Sequence, residues 1–286
     1  MNYLRHIQAC RVRDLSGYSP FFIDGKAVGW IPRPVLPRLR DFSGVFRFFG
    51  DHVALDERLS TLEARSRAME DVVAALHGDG FIRSIRGEMY RVSSGWTAPT
   101  LMLLDRGAVT LFGVRAYGVH LNGIVRTGEE FKMWIARRSP DKAVAPGKLD
   151  NIVAGGQPAG LSLRDNLIKE AREEAGFTAP LMRHARSAGF VSYRMEVPGG
   201  LRCDTLFVYD LEVPDQVTPR CTDGEVQEFM LWPVERVMST LRETDDFKFN
   251  VALVLIDFGI RHGLIDPDRE PDYARLFEGL RIRWPA

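Results

Sequence analysis

Three glutamates, Glu170, Glu173 and Glu174, recur at spacings i, i+3 and i+4 just beyond the glycine-bearing stretch Gly155-Gly156-Gln157-Pro158-Ala159-Gly160. On a helix this spacing puts all three on one side, within about 100° of each other. Carboxylates grouped in this way are what a hard divalent cation takes: oxygen ligands, with positions left for water and for substrate phosphate. From the acids alone, a solvated acidic helix face is the commoner arrangement. Their place at the mouth of a glycine loop favours metal-assisted phosphate chemistry.

The elements that must position them are readable nearby. Ser162 is a natural N-cap with Asp165 three residues on, and Gly176 is a natural stop, so a helix is expected from about residue 162 to 175. Leu167, Ile168, Ala171 and Ala175 form its packing side. Glu170 and Glu174 are a like-charge i,i+4 pair, and Lys169 is placed to relieve Glu173.

Around this helix, strands are expected at 115–126, 131–137, 189–197, 204–213 and 226–232, with a Pro/Gly loop over Ser139–Leu149. Helices are expected at 234–243, 248–262 and 271–280, although the apolar run Val251–Ile256 also suits a strand. Strands interspersed with helices indicate layered α/β architecture.

Upstream, Asp24-Gly25 between Phe21 and Trp30 marks a hairpin, and Pro32, Pro34 and Pro37 end its pairing. Val45–Leu55 reads as a strand and Glu57–His77 as a helix ended by Gly78 and Gly80. The stretch Ser93–Pro99 is the boundary region. The division expected is a smaller N-terminal accessory α+β domain at 1–105 and an α/β domain with C-terminal helices at 106–286.

The 286 residues carry 38 Lys+Arg against 38 Asp+Glu, a formal net charge of zero, which does not suit a general nucleic-acid binder. No apolar run approaches the roughly 20 residues of a membrane-spanning helix. The first residues, MNYLRHIQACRVRD, lack the apolar core of a signal peptide. Cys10, Cys203 and Cys221 are odd in number and widely spaced, which suits reduced thiols and a cytoplasmic location; Cys203 and Cys221 read as small packing residues. Phe21, Phe22 and Trp30 read as hairpin core. His262 reads as a partner for a helix C-terminus, and His120 and His184 have no recognisable partner.

Residues 155–177 resemble the Nudix box, G-x5-E-x7-R-E-U-x-E-E-x-G-U, with Gly155 as its first glycine. Glu170-Ala171-Arg172-Glu173-Glu174-Ala175-Gly176-Phe177 matches the core of the pattern. Leu161 stands where the family has Glu, and Lys169 where it has Arg, which keeps the charge but loses the bidentate fork. The similarity extends to 136–142, 146–151, 223–226, Phe247-Lys248 with Asn250, and 257–263. These segments resemble a Nudix subfamily with an additional N-terminal domain, found in fungi fused to thiamine pyrophosphokinase. Phe249 departs from the proline expected between Lys248 and Asn250.

The resemblance implies a Nudix α/β/α sandwich and a metal-dependent hydrolase that cleaves an organic diphosphate to a monophosphate. Oxidised or damaged thiamine diphosphate is the implied substrate. A nucleotide-sugar or ADP-ribose pyrophosphatase, and a non-catalytic ligand sensor, are the alternatives. Glu170, Glu173 and Glu174 are the expected catalytic acids and ligands of Mg²⁺ (or Mn²⁺), with Glu225 as a later acid from outside the box. Arg137, Lys148, Gly155 and Gly156 are the expected substrate contacts. The expected partner is a small-molecule organic diphosphate, with no nucleic acid and no membrane; a homodimer is the assembly considered.

Overall fold

A computed structural model describes every residue except Met1, Arg13, Arg283, Pro285 and Ala286. A short helix α1 (Leu4–Ala9) precedes the first sheet. Strands β1 (Tyr18–Ile23) and β2 (Lys26–Pro32) form the expected hairpin, with Asp24 at φ 50° and Gly25 at φ 70°. Helix α2 (Leu36–Leu39) leads to β3 (Phe46–Phe48) and β4 (Val53–Leu55), and the sheet order is β2-β1-β4-β3.

The stretch expected as one strand over 45–55 is thus a second hairpin. Phe49 N–H bonds the His52 carbonyl at 2.9 Å, closing a turn over Gly50 and Asp51. Helix α3 (Leu62–Gly78) begins later than the expected Glu57. Asp56 accepts from Arg58 N (3.0 Å) and pairs with the Arg58 and Arg47 guanidiniums, which turns the chain. Thr61 then caps the helix by accepting from Ala64 N. Strands β5 (Met89–Val92) and β6 (Met102–Asp105) pair, and α4 (Val109–Phe112) ends the unit.

The second unit is built on β7 (Arg115–Thr127), β8 (Glu130–Arg138), β9 (Leu149–Asn151), β10 (Val153–Gly156), then α5 (Leu163–Ala175) and α6 (Ala179–Met182). β11 (Arg186–Val197), β12 (Gly200–Glu212) and β13 (Val226–Pro233) complete the sheet. Helices α7 (Val234–Glu243), α8 (Phe249–Arg261) and α9 (Tyr273–Gly279) follow. Val251–Ile256 is helical and buried throughout.

Strand order is β11-β12-β7-β8-β13, with β12 parallel to β7. β7 and β8 part after Gly123↔Trp134. Beyond that fork β10 pairs with β7 over 118–121, and β9 pairs with β8 over 135–137. The segment 149–156 therefore runs into the opening between two strands and brings the glycine loop with it.

α5 covers one face of the sheet through Leu167, Ala171 and Ala175 against Val119, Leu121, Val153 and Leu211. α7 and α8 cover the other through Val237, Val251 and Leu255 against Ile124, Ile135 and Val208, giving the expected α/β/α layering. Tyr3, Leu4, Ile7 and Cys10 pack in this second core. The N-terminal core runs from Phe21 to Ala116 and includes Val109, Leu111 and Phe112 of α4, which lie beyond the expected division at 105/106.

Candidate active site

α5 forms as its local sequence dictates. Ser162 accepts from Asp165 N at 3.1 Å and donates its hydroxyl to Asp165 Oδ2 at 2.6 Å, while Gly176 adopts φ 67° at the end. One row of the helix, Asn166, Glu170 and Glu174 at successive i+4 steps, runs along β10. Asn166 Nδ2 donates to the Gly156 carbonyl (2.7 Å). Glu170 lies across Gly155, where an added Cβ would overlap its Cγ and Cδ. Glu174 Oε2 accepts from Ala154 N at 2.9 Å.

The three box acids differ in surroundings. Glu174 is buried beside the apolar stripe, Glu170 is nearly so, and Glu173 is half-buried. Burial pushes the Glu174 carboxyl well above the ordinary glutamate range, and the charges of Glu170, Asp150 and Glu225 add to the rise. Burial also raises Glu170, against the opposing pull of Lys169. Lys169 Nζ reaches Glu170 Oε1 (3.1 Å) and Glu173 Oε2 (2.8 Å), so one ammonium spans two carboxylates.

Among the described residues no group of three acidic, His or Cys side chains already stands in a ligating arrangement. The donor set nonetheless fits a hard divalent ion. It consists of carboxylate oxygens, and a cation already bridges two of them. Glu170, Glu173 and Glu174 would hold the ion, displacing Lys169.

Beside the acids lies a buried polar layer. Asp150 pairs with Arg138 (2.7 Å) and Lys248 (3.2 Å). Burial alone would raise Asp150, but Lys248, His120 and Arg138 outweigh it and hold it below the usual range. His120 Nδ1 meets Asn151 Oδ1 at 2.8 Å, and Asn151 Nδ2 donates to Asn122 Oδ1 at 2.8 Å. Burial pushes the His120 imidazole down to about 4.

The remaining expected site residues are placed as follows. Glu225 pairs with Lys142 at 2.5 Å and is close enough to act on Glu174. Arg137 is turned to Glu228 (2.7 Å) and the Gly147 carbonyl, and Lys148 donates to the Asp245 carbonyl at 2.8 Å, so neither is directed at the acids. Gly155 makes room for Glu170. Gly156 makes room for Tyr90 of the N-terminal unit, whose hydroxyl an added Cβ would overlap. Cys203 is buried, but Cys221 is exposed and does not serve as a packing residue. His262 Nε2 lies 3.3 Å from Asp210 Oδ2, which Arg261 also binds.

Asp150, Lys248, Asn166, His120 and Tyr90 were not assigned from sequence. Asn166 carries a usable signal, since it is one helical turn before Glu170. Tyr90 carries none, because only the docking of the two units brings it to Gly156.

A family model described as NUDIX domain matches residues 118–252, and one described as Domain of unknown function (DUF4743) matches residues 2–116. The chain is 41% identical over 284 residues to Nudix hydrolase 24, chloroplastic, of Arabidopsis thaliana, covering 98% of this chain and 77% of the relative. It is 40% identical to Nudix hydrolase 20, chloroplastic, of the same plant, over 94% of this chain and 74% of the relative. Among solved structures, the MutT protein from Methanosarcina mazei Go1 aligns with 52% of this chain and 95% of its own, at 19% identity and a TM-score of 0.41.

Proposed function

The chain belongs to the Nudix hydrolase family, and from that premise we propose that it cleaves an organic diphosphate to a monophosphate with Mg²⁺ or Mn²⁺, its substrate being oxidised or damaged thiamine diphosphate. The observation that carries the hydrolytic reading is the row Glu170–Glu174 laid along Gly155 and Ala154, with Glu173 beside it. Bound there, a divalent ion supplies charge neutralisation at the phosphates and acidifies the attacking water. The protein holds the acids in place through Ala154 N and the close contact of Glu170 with Gly155, and one of the carboxylates orients the water.

The substrate assignment rests on the two-unit organisation and on the segments around Arg137, Asp150 and Lys248 that resemble the thiamine-linked subfamily. Three free cysteines suit the reducing cytoplasm proposed as its location.

The test is monophosphate release from a panel of diphosphates with Mg²⁺, then with EDTA. Oxidised thiamine diphosphates should show higher kcat/KM than ADP-ribose or a dNTP. A preference for ADP-ribose overturns the substrate assignment. Tight ligand binding with no turnover of any member favours the sensor.

A further inference from the structure

Arg106 and Tyr90 of the N-terminal unit stand against the same two-residue glycine stretch that the catalytic acids occupy. Glu170 covers Gly155; the Tyr90 hydroxyl covers Gly156, and a Cβ at Gly156 would come within 3.6 Å of Arg106 Cζ. Neighbouring residues are only about 3.8 Å apart along the chain. The backbone joins the two units here, as Ala159 N donates to the Met89 carbonyl of β5 at 2.8 Å. The Glu170 carboxylate lies near enough to act on the Arg106 charge.

The Arg106 guanidinium is held but not spent. Among the described residues its Nη1 alone forms a hydrogen bond, to Glu88 Oε2 at 2.7 Å. Its other donors keep a fork suited to two phosphate oxygens. The buried ring of Tyr90 belongs to the N-terminal core, yet its hydroxyl makes no hydrogen bond among the described residues. A guanidinium with spare donors, next to acids that would hold a metal, forms with them a two-part cradle for a diphosphate.

We propose that Arg106 binds the phosphoryl group of the substrate facing away from the box acids, with the Tyr90 hydroxyl as a further donor, so that the N-terminal unit completes the catalytic site. This rests on the diphosphate-hydrolase reading above. Arg106 is a substrate-binding residue in this scheme, and Glu88 a positioning residue that aims it.

The experiment compares wild type with Arg106→Gln, Arg106→Lys, Tyr90→Phe and Glu88→Gln. Arg106→Gln should raise KM for the diphosphate, and Ki for the product monophosphate, by about tenfold or more, the worth of a charge-assisted hydrogen bond. Arg106→Lys should recover part of the loss, and Mn²⁺ binding should be unchanged in both. Tyr90→Phe should raise KM without altering thermal stability. Glu88→Gln, which leaves the guanidinium intact, should shift KM as well, so the proposal stays testable if Arg106→Gln folds poorly. Unchanged KM and Ki in Arg106→Gln overturn it. If wild type turns over no diphosphate, the hydrolase reading fails, and titration with Mg²⁺ and inorganic pyrophosphate then decides this proposal separately: equal affinity in wild type and Arg106→Gln overturns it.

Discussion

Glu170 occupies the volume that any side chain on Gly155 would need: an added Cβ would stand 2.6 Å from its Oε2 and overlap its Cγ and Cδ. The glycine is therefore required by the acid beside it, since nothing in its own backbone angle demands it. Gly155→Ala should push the Glu170 side chain aside. A misplacement of about 1 Å at a reacting site costs roughly a hundredfold in rate. The expected outcome is a kcat/KM loss of that order with a folded protein, checked by kinetics beside a thermal melt. Wild-type kinetics in a folded Gly155→Ala would show that Glu170 is not held by this contact.

Glu174 is a buried carboxylate whose pKa is raised mainly by desolvation. Without metal, its charge near neutral pH works against folding. Glu174→Gln keeps an acceptor for Ala154 N and removes that charge, so the metal-free variant should melt no lower than wild type. Mg²⁺ should stabilise wild type by mass action and leave the variant unmoved. Thermal melts with and without Mg²⁺ check both halves. Equal Mg²⁺ stabilisation of the two proteins would remove Glu174 from the ligand set.

Asp150 neutralises two largely buried cations, Arg138 and Lys248. Asp150→Asn leaves them facing each other without a counter-charge, an arrangement that costs about 3–5 kcal/mol. Urea unfolding should show a loss of that size. A change below about 1 kcal/mol would mean that water, rather than Asp150, compensates these charges.

His120 makes stability depend on pH. Its folded-state pKa is held at about 4 against 6.5 unfolded, chiefly by burial. The unfolded chain therefore binds the extra proton first. Stability is complete above pH 6.5, falls as pH drops toward 4, and loses about 3 kcal/mol over that window. His120→Gln keeps a partner for Asn151 and cannot titrate, so its stability should fall less steeply between those pH values. Parallel curves for the two proteins would contradict the assignment.

Much of the catalytic framework was legible because its signals are local. Ser162, Asp165 and Gly176 define α5 within a residue of its expected ends, and the three glutamates follow from its period. Burial was not legible in the same way. The acids share a face, but Glu174 sits on the edge of the apolar stripe, and only the position of β10 against α5 decides that. Arg137 and Lys148 have no partner legible nearby in sequence, because Glu228, which accepts from Arg137, comes from β13, and the Asp245 carbonyl, which accepts from Lys148, comes from the approach to α8. The start of α3 was misplaced for a local reason: the Asp56–Arg58 turn overrides an apolar period that continues through it. Tyr90 and Arg106 reach Gly156 only when two separately cored units dock, and no pattern within either unit encodes that contact.

The central claim is that Glu170, Glu173 and Glu174 hold one divalent ion against a diphosphate. Mn²⁺ titration followed by electron paramagnetic resonance, with and without thiamine diphosphate, tests it most directly. Wild type should bind Mn²⁺, bind it more tightly with the diphosphate present, and lose both properties in Glu170→Gln and Glu174→Gln. Mn²⁺ binding in those variants equal to wild type, or none in wild type even with the diphosphate, would contradict it.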